Sequence, residues 1–529
     1  MADVQVAIHG AGKTVTGSCY EVRSGGHRIL VDCGLFQGSR TLEALNHEAF
    51  AFDPRKLDAV ILTHAHLDHS GMLPRLAARG FSGPIWSTGP TADLLEQMLP
   101  DAARIQEQDA ERRNRRADRA DEPAIEPLYT LDDAEAALAL RQVAPLEAGF
   151  EAAPGMRAKL WNAGHILGSA SLELRVGDTR ILFSGDIGPD EKAFHPDPDA
   201  PRGLDHVFCE STYGDRVREK ITIEQRRALL ETEVKSALAR GGNLVIPVFA
   251  LERTQELLLD LARLINSGRL PHPRVFLDSP LATRITDVFT RHSRKLEDMG
   301  AGDVFRHPAF HFVEDVAGSR QLNNVSGAII MAGSGMCEGG RIRHHLISNL
   351  ARPDSTILFV GYQAQGTLGR IISGGAKRVR ISGKDIAVRA AVRSIENYSA
   401  HADRSELLAW IQARTPINGS LFLTHGEASA IEGLRRDLQT RCASIITPEI
   451  GEVYSLPADA PAHRIATGRT DIRDAVGRDW QNDYADFTVR LKRELQAIEA
   501  AGKRREAIAR MRAILTEYQD ARKRGNGGG

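Results

Sequence analysis

The 529-residue sequence has few cysteines, no long apolar run and almost no net charge. Its five cysteines are scattered without a C-x-x-C pair, which argues against a disulfide framework or a thiolate zinc site and favours reduced thiols. No apolar run approaches the ~20 residues that span a bilayer, and the N-terminus lacks the basic and apolar segments of a signal peptide. The sequence therefore predicts a cytoplasmic protein without a membrane segment.

A surplus of one charge is also missing, since 68 Lys and Arg face 69 Asp and Glu and the formal net charge is −1. Nucleic-acid binders usually carry a basic surplus, so this balance argues against such a partner unless positive charge is concentrated locally. The hydrophobic content of 42% and the charged content of 26% are typical of a globular protein. The length predicts roughly three structural units.

Strand and helix patterns predict one domain that is interrupted by another. Residues 1–204 contain short β-branched runs between glycine turns. Residues 205–384 alternate strands with helices, which predicts a parallel sheet covered by helices, and residues 385–460 resemble the first region again. The strands and helices that define these regions are expected at 171–176, 179–183, 243–249, 252–265, 274–277, 328–331, 356–360, 386–392, 404–412 and 421–424.

Helical patterns also cover residues 91–144 and a tail at 467–529. In the first segment, the arginine-rich run 112–116 is balanced by neighbouring acids, which favours a solvated helical face over a nucleic-acid patch. In the tail, apolar residues recur every three or four positions, which predicts packing on the body of the protein or a homodimer surface. These tail residues are Tyr484, Phe487, Leu491, Leu495, Ile498, Ile508, Met511, Leu515 and Tyr518.

The run HGAGKT at residues 9–14 ends like a phosphate-binding loop. That motif needs a glycine five positions before Gly12, where the sequence has Ala7. We interpret the run as a glycine-rich turn between two strands, and nucleotide binding is not predicted.

The pattern H-x-H-x-D-H directly follows an apolar strand predicted at residues 59–62. Four ligands within six residues can converge if the backbone turns sharply at the strand end. Imidazole and carboxylate groups together suit zinc or a similar divalent metal. The sequence therefore predicts a metal site here, in preference to a surface loop that is rich in histidine by chance. Its potential ligands are His64, His66, Asp68 and His69.

Three further ligand candidates lie beside small residues: His165 in NAGH, Asp186 in FSGD and His425 in LTHG. Asp186 and His425 each follow an apolar strand, and the small neighbours permit close backbone approach. Taken alone, each of the three is more typical of a capped turn or an ordinary polar loop. Asp32 also follows a predicted strand, and spacing alone assigns it no role.

Together these residues resemble the metallo-β-lactamase fold, in which H-x-H-x-D-H is followed by isolated His, Asp and His. Within that superfamily the sequence is similar to the β-CASP nucleases, especially bacterial relatives of the endonuclease subunit of the cleavage and polyadenylation specificity factor. Glu210 in CESTY resembles motif A, His401 in SAHAD motif B, and His425 motif C. Supporting matches are GNLVIPVFALERTQE at 242–256, LDSPLA at 277–282, and residues 333–341 and 361–370. The resemblance covers about residues 4–460, so the helical tail lies outside it.

The resemblance implies a metallo-β-lactamase αββα sandwich interrupted by a β-CASP parallel α/β domain, with the helical tail added. It also implies two Zn²⁺ ions, with Mn²⁺ as an alternative. Asp186 would bridge the two metals, and Asp32 would orient the ligand loop from behind. The first metal would be held by His64, His66 and His165, and the second by Asp68, His69 and His425.

His401 alone would be interpreted as a capping residue of the helix that follows it. The resemblance instead implies that His401 is the general acid that protonates the leaving ribose oxygen, with Glu210 fixing its orientation. Histidine suits this role because its pKa lies near working pH.

Two features favour single-stranded RNA as the substrate. By resemblance, the histidine at motif C separates this sequence from the DNA-repair branch of the β-CASP enzymes. Between residues 370 and 393, seven Lys and Arg residues face one Asp, and we expect Arg370, Lys377 and Arg378 to meet RNA phosphates. Backbone N–H groups at Ser334 and Gly335 could also bind a phosphate, and a plain strand–helix turn is an equal alternative.

The leading interpretation is a zinc-dependent endoribonuclease of RNA processing or decay, with exonuclease activity as a variant. One alternative is a small-molecule ester or lactam hydrolase on the same fold, against which the large insertion, Glu210 and His401 argue. Another is an inactive RNA-binding scaffold, against which the intact ligand set argues.

Overall fold

The computed structural model describes residues 3–115, 124–299, 304–364, 366–469 and 471, and, in the tail, 491, 494–495 and 497–525. The strands of the described chain are β1 (Gln5–Ile8), β2 (Tyr20–Ser24), β3 (His27–Val31), β4 (Ala59–Ile61), β5 (Ile85–Ser87), β6 (Arg141–Val143), β7 (Gly149–Ala153), β8 (Met156–Asn162), β9 (Ala170–Val176), β10 (Thr179–Phe183), β11 (Leu204–Glu210), β12 (Leu244–Pro247), β13 (Val275–Asp278), β14 (Phe310–Phe312), β15 (Ile329–Ala332), β16 (Thr356–Val360), β17 (Arg378–Ile381), β18 (Lys384–Ala387), β19 (Ala391–Ile395), β20 (Ile417–Thr424), β21 (Ile445–Ile446), β22 (Val453–Ser455) and β23 (His463–Ala466).

The helices of the same residues are α1 (Arg40–Leu45), α2 (Leu67–Ser70), α3 (Leu73–Ala78), α4 (Gly89–Asn114), α5 (Leu131–Ala139), α6 (Ile223–Ala239), α7 (Arg253–Asn266), α8 (Pro280–His292), α9 (Val316–Gln321), α10 (Ile342–Asn349), α11 (Leu368–Ser373), α12 (Arg404–Gln412), α13 (Ala428–Leu438) and α14 (Ala501–Gly525).

Two sheets pack face to face and form the first domain, which we call the two-sheet domain. Their strand orders are β23-β22-β1-β2-β3-β4-β5-β6 and β21-β20-β11-β10-β9-β8-β7. The facing sides share one apolar core, to which Ile29 contributes from the first sheet and Phe183 and Phe422 from the second. Helices cover the outer faces: α12 and α13 pack on the second sheet, while α3 and α4 pack on the first.

A third sheet, of order β14-β13-β15-β12-β16-β19, forms the inserted domain, and all its neighbouring strands are parallel. Its central strands are apolar along their whole length because helices cover both faces. Helix α7 is buried along most of its length in this domain. The predicted αββα sandwich interrupted by a parallel α/β domain is therefore confirmed.

Strand pairing places the crossings between the two domains later than the expected boundaries at 204/205 and 384/385. β11 lies between β10 and β20 in the second sheet, so the chain leaves the two-sheet domain only after Glu210. β19 pairs with β16, so the parallel sheet extends to Ile395. The three boundaries of the division 1–204, 205–384, 385–460 and 467–529 stay predictions, and from the pairing we propose 210 and 395 as the crossings.

The single strand expected at 386–392 is wrong in detail, because the structure has two strands there. β18 forms a two-stranded hairpin with β17, and β19 belongs to the parallel sheet. Between them the N–H groups of Arg389 and Ala390 both donate to the carbonyl of Leu350, which turns the backbone away from the hairpin. The hairpin expected at 171–183 is confirmed, with Val176 opposite Thr179.

The segment expected to be helical at 91–144 is two helices, α4 and α5, and its end is a strand. β6 pairs with β5 at the edge of the first sheet, which fixes residues 141–143 in an extended conformation. Helix α5 begins with a capping box between Thr130 and Asp133.

The helical tail is confirmed over α14, while Tyr484 and Phe487 of its apolar stripe lie outside the described residues. Ile508 and Ile514 are 38% and 53% exposed. A homodimer through this tail stays a prediction. Among the residues that the structure describes, no helix is both long and apolar enough to cross a membrane.

Candidate metal centre

The metal-ligand candidates lie where several strands end at one edge of the two-sheet domain. β3 is parallel to β4, and β10 and β20 are both parallel to β11. The segment with the H-x-H-x-D-H pattern follows β4, Asp186 follows β10, and His425 follows β20. His165 lies in the turn after β8, which runs antiparallel to β9 and therefore in the direction of β10. All these side chains thus meet at the same edge.

Two glycines allow the ligand loops to pack closely at this edge. A Cβ atom on Gly34 would lie 1.6 Å from the carbonyl oxygen of Asp68. One on Gly188 would lie 1.9 Å from the carbonyl oxygen of Gly164, next to His165. A side chain at either position would displace a ligand loop.

His64, His66 and His165 form the first group, which we call the histidine trio. The Nε2 atoms of His64 and His165 lie 3.1 and 3.2 Å from the same atom, Nδ1 of His66. A neutral imidazole has one donor and one acceptor nitrogen, so hydrogen bonding among three rings satisfies this convergence poorly. A cation placed between the three nitrogens would satisfy it.

Asp68, His69 and His425 form the second group, the mixed trio. The Nε2 atoms of His69 and His425 lie 3.2 Å apart, and Nε2 of His425 is 3.6 Å from Oδ2 of Asp68. The structure therefore brings the predicted ligands together in the two groups that the resemblance implied.

Asp186 lies between the two groups and offers one oxygen to each. Oδ2 is 3.6 Å from Nε2 of both His64 and His165, whereas Oδ1 is 3.3 Å from Nε2 of His69 and 3.5 Å from Nδ1 of His425. Burial alone would raise the pKa of Asp186, but the charges of His425 and His69 lower it well below its ordinary value. Oδ1 is buried and forms no hydrogen bond in the described chain, which fits an oxygen that binds a cation.

Asp32 and two threonines support the mixed trio from behind. Oδ2 of Asp32 lies 2.7 Å from Nδ1 of His69, so Nε2 of that ring points to the other ligands. Oδ1 of Asp32 accepts from the backbone N–H of Thr63 at 2.8 Å. Oγ1 of Thr212 is 3.2 Å from Nδ1 of His425. Metal-binding histidines usually have their second nitrogen held in this way.

The two trios differ in the charge of their histidines. Burial lowers the pKa of His64 and His165 well below the ordinary value and that of His66 to about 4. Burial acts in the same direction on His69 and His425, but Asp186 raises the pKa of both above the ordinary value. Burial thus favours the neutral ring, which is the metal-binding form, in the histidine trio.

His401 lies at the mouth of this centre, where its side chain is 22% exposed. Its Nδ1 is 3.3 Å from Oε1 of Glu210 and 3.9 Å from Oδ2 of Asp186. Glu210 is itself fixed, because the N–H of Ile187 donates to Oε1 at 2.6 Å. The cap of the following helix is Asp403, whose Oδ1 accepts from two backbone N–H groups, so His401 is free of that role.

Comparisons with known proteins agree with this geometry. The Metallo-beta-lactamase superfamily model matches residues 12–220, the Beta-Casp domain model matches 254–372, and the Zn-dependent metallo-hydrolase RNA specificity domain model matches 385–448. Ribonuclease TTHA0252 of Thermus thermophilus is 37% identical over 457 residues, which cover 85% of this chain and 99% of that protein. The chain belongs to the metallo-β-lactamase/β-CASP family. It is a metal-dependent hydrolase with an RNA-specificity domain.

Archaeal proteins named transcription termination factor FttA are also similar. The one from Methanococcus maripaludis is 32% identical over 451 residues, which cover 80% of this chain and 67% of that protein. The one from Thermococcus kodakarensis is 33% identical over 400 residues, which cover 72% and 59%. A solved structure of a protein of unknown function from Enterococcus faecalis V583 aligns with a TM-score of 0.49 at 16% identity, over 86% of this chain and 100% of that one.

The donor atoms of the metal centre fit the zinc ions of this family. Imidazole and carboxylate are ordinary zinc ligands, and the described ligand atoms within each cluster lie within 4.8 Å of one another. None of the described ligand clusters contains a cysteine. Cys19, Cys33, Cys209 and Cys337 are buried free thiols.

The residues expected to bind RNA phosphates lie in the inserted domain, including the β17-β18 hairpin that precedes its last strand, β19. Arg370 is exposed at the end of α11, and Lys377 and Arg378 are exposed at the start of the hairpin. Ser334 lies beside Gly339, and Gly335 packs so closely on Phe249 that a Cβ would be 2.5 Å from its ring. None of the contacts described for these residues is with a ligand candidate, so their role stays a prediction.

Sequence reasoning missed an aromatic and cationic cluster beside His401. The ring of Tyr213 lies 5.7 Å from that of His401, and the ring of Tyr362 lies 6.3 Å from Tyr213. The guanidinium group of Arg216 is 4.4 Å from the Tyr362 ring centre, and Nη2 of Arg218 donates to the carbonyl of His401 at 2.6 Å. Tyr213 follows motif A in CESTY, which was the available signal.

Proposed function

We propose that the protein is a zinc-dependent endoribonuclease that hydrolyses phosphodiester bonds within single-stranded RNA. The single observation that carries this proposal is Asp186, whose two oxygens face separate groups of ligands while His401 lies 3.9 Å away. The RNA-specificity model over residues 385–448 and the similarity to a ribonuclease support RNA as the substrate.

The metals would be held by the histidine trio on one side and the mixed trio on the other, with Asp186 bridging them. Two zinc ions, or Mn²⁺ in their place, supply charge that stabilises the attacking and leaving oxygens of a phosphate. The ligand side chains would hold the ions in place, because their loops begin at strand ends. Asp32 contributes by holding the ring of His69.

His401 would give a proton to the leaving ribose oxygen. Glu210 lies against Nδ1 and would accept a hydrogen bond from it, so the doubly protonated ring would keep its Nε2 proton for the leaving oxygen. The partial exposure of His401 supports this role, since His64, His165 and Asp186 below it are almost fully buried while the side chain of His401 is open to a bound chain.

RNA in a single strand suits the surroundings of His401. Tyr213 and Tyr362 offer ring faces or edges for bases, and Arg216 offers a cation for a phosphate, the combination used by proteins that bind single strands. Ser334, Gly335, Arg370, Lys377 and Arg378 would extend this contact along the RNA.

The proposal is tested with His401→Ala, Asp186→Ala and the wild-type protein. We expect His401→Ala to keep both zinc ions and lose RNA cleavage by about 100-fold or more, since general acid catalysis contributes that much. Asp186→Ala should lose zinc and cleavage together. His27→Ala is the matched control, because His27 is also partly exposed and pairs with a carboxylate, Asp58, at 3.1 Å.

A circular single-stranded RNA separates internal cleavage from trimming, because it has no ends. We expect the wild-type protein to cut it, and a second assay on linear RNA with a 5′-phosphate or 5′-hydroxyl measures any exonuclease activity. Wild-type protein that binds two zinc ions, cleaves no RNA and hydrolyses small esters or lactams rapidly would contradict the proposal. Binding of RNA without any hydrolysis would instead indicate a scaffold.

A further inference from the structure

A buried cluster of three ionisable side chains lies at the border between the two domains, outside the metal ligands. Oε1 of Glu252 accepts from Nζ of Lys192 at 2.9 Å and contacts Nε2 of His195 at 2.6 Å. The three side chains are only 3%, 2% and 6% exposed. Because burying charge is costly, such a cluster calls for a reason beyond stability.

This cluster holds the backbone of the loop that carries His165. The other oxygen of Glu252, Oε2, accepts from the backbone N–H of Leu167 at 3.0 Å, and Nζ of Lys192 donates to the carbonyl of His165. Glu252 comes directly before α7 of the inserted domain and has a positive φ of 70°, a strained conformation for a residue with a side chain. The inserted domain therefore reaches a metal-ligand loop of the two-sheet domain.

Two turns further along, helix α7 makes a second contact, with Tyr398, which lies three residues before His401. Oδ2 of Asp260 accepts from the hydroxyl of Tyr398 at 2.8 Å, and Tyr398 is 1% exposed. Arg226 and Arg227 neutralise Asp260 through Nε contacts of 3.0 and 2.8 Å. The guanidinium group of Arg226 also lies 4.4 Å from the centre of the Tyr398 ring.

Tyr398 anchors the short segment that ends in His401, and this segment touches the histidine trio. The carbonyl of Ala400 lies 2.8 Å from Nδ1 of His165 and can accept its proton, which directs Nε2 to the other ligands. The rings of His165 and His401 have centroids 4.5 Å apart. Both residues are thus held from the same helix, one through Glu252 and one through Asp260 and Tyr398.

We propose that α7 of the inserted domain is a positioning element that sets the spacing between metal ligand His165 and general acid His401. The positioning residues are Glu252, directly before α7, and Tyr398, which donates to Asp260 of α7. Neither acts on the substrate. The part that concerns His401 rests on the function proposed above, whereas the part that concerns His165 requires only that the trio binds zinc. The insertion would then assemble the reactive site as well as cover it.

The first test is Glu252→Gln, which keeps the volume of the side chain but replaces one acceptor by an NH₂ group. That group must face either the Lys192 and His195 donors or the N–H of Leu167, so one contact is lost. We expect zinc affinity at one of two sites to fall roughly 10- to 100-fold, the effect usual for residues that support ligands. Competition with a chelator measures this without any RNA.

The second test is Tyr398→Phe, which removes one hydroxyl and no charge, so folding is preserved. We expect two zinc ions to remain bound, with affinity lowered less than in Glu252→Gln, because the backbone of the His165 loop keeps its contacts with Glu252 and Lys192. On single-stranded RNA, kcat should fall about 10-fold with little change in KM, since a displaced acid slows the chemical step rather than binding.

Glu21→Gln is the matched control. Glu21 is a buried carboxylate of the two-sheet domain that contacts one histidine, His9, at 3.0 Å and two cations, Arg23 at 2.5 Å and Arg28 at 3.4 Å. We expect it to lower the Tm comparably while zinc affinity and kcat stay as in the wild type.

The proposal is wrong if Glu252→Gln changes zinc affinity no more than Glu21→Gln, or if Tyr398→Phe leaves kcat unchanged in a protein that cleaves RNA. If the wild-type protein cleaves no RNA at all, the proposed function fails, and the chelator competition still decides the role of Glu252. Should Glu252→Gln not fold, Tyr398→Phe alone decides the proposal.

Discussion

The two trios of the metal centre have the same task but different support. The mixed trio is held by Asp32 of the two-sheet domain and by Thr212, which lies two residues past the end of β11. The histidine trio depends on His165, whose ring is held by Ala400 and whose loop is held by Glu252 of the inserted domain. One half of the centre is thus supported mainly from one domain and the other half across a domain border.

This difference teaches that the two zinc sites need not respond alike to one change. Residues that support a ligand tune its metal affinity, so separate supports allow the two affinities to vary separately. Asp186 is shared, because each of its oxygens faces one half, and Oγ1 of Thr63 also lies 3.1 Å from Nδ1 of His64 and 3.4 Å from Nδ1 of His69. Substitutions at the shared residue and at each support therefore test the comparison.

The largest effect is expected for Asp186→Asn, which keeps the volume and removes the charge shared by both halves. Zinc binding should weaken at both sites, and RNA cleavage should fall by more than about 100-fold because both metals are affected. Elemental analysis and a cleavage assay measure this. Loss of only one zinc ion would show that Asp186 belongs to a single half.

A smaller and one-sided effect is expected for Asp32→Asn. The amide cannot hold the ring of His69 as the carboxylate does, so zinc affinity of the mixed trio should fall roughly 10- to 100-fold while the histidine trio keeps its metal. Titration with a chelator should then show one tight and one weakened site. Equal weakening of both sites would contradict the separation of the halves.

Thr212→Val should have a milder effect on the same half. Valine has nearly the shape of threonine but lacks the hydroxyl that lies 3.2 Å from Nδ1 of His425. We expect a loss in zinc affinity of about 10-fold, at the lower end of such effects. An effect as large as that of Asp32→Asn would mean that the hydroxyl, and not the carboxylate, is the main support.

The smallest effect on the metals is expected at Glu21, which belongs to neither half. Burial alone would raise its pKa, but hydrogen bonds with His9 and Arg23 lower it to about 2 from an ordinary value of 4.5. Because the folded-state pKa is depressed, the stability it contributes is present above pH 4.5 and is lost as the pH falls toward 2. Urea unfolding of wild type and Glu21→Gln should differ most above pH 5 and converge on acidification. A difference that stays constant with pH would assign the effect to packing instead of charge.

The compact H-x-H-x-D-H pattern after an apolar strand could be interpreted from the residues alone, whereas His165, Asp186 and His425 were joined to it only by the resemblance. Because β10 and β20 are both parallel to β11, Asp186 and His425 emerge at the same edge of the second sheet. The contact of Glu252 with Lys192 and His195 could not be predicted, since nothing local to these residues signals a partner about 60 positions away in a different domain.

The crossing proposed at 395 differs from the expected boundary at 384/385 for a related reason. β19 lies at the edge of the parallel sheet and is half exposed, so its pattern is that of an antiparallel strand and not of a buried parallel one. The basic run at 370–393 could likewise be recognised from the sequence as a concentration of positive charge. The sequence does not tell on which side of the molecule the hairpin places these side chains.

The place of β11 between β10 and β20 also has a consequence for the order in which the protein is completed. Strand β20 is synthesised about 200 residues after β11, and a loop of that length closes only at an entropic cost. Domains generally fold in order as the chain leaves the ribosome, so β11 waits with one edge open until the inserted domain has been made. His425 follows β20 directly and is the last ligand to arrive. A chain that has not yet been synthesised as far as His425 therefore carries an incomplete metal centre, and hydrolysis must wait until this residue is in place.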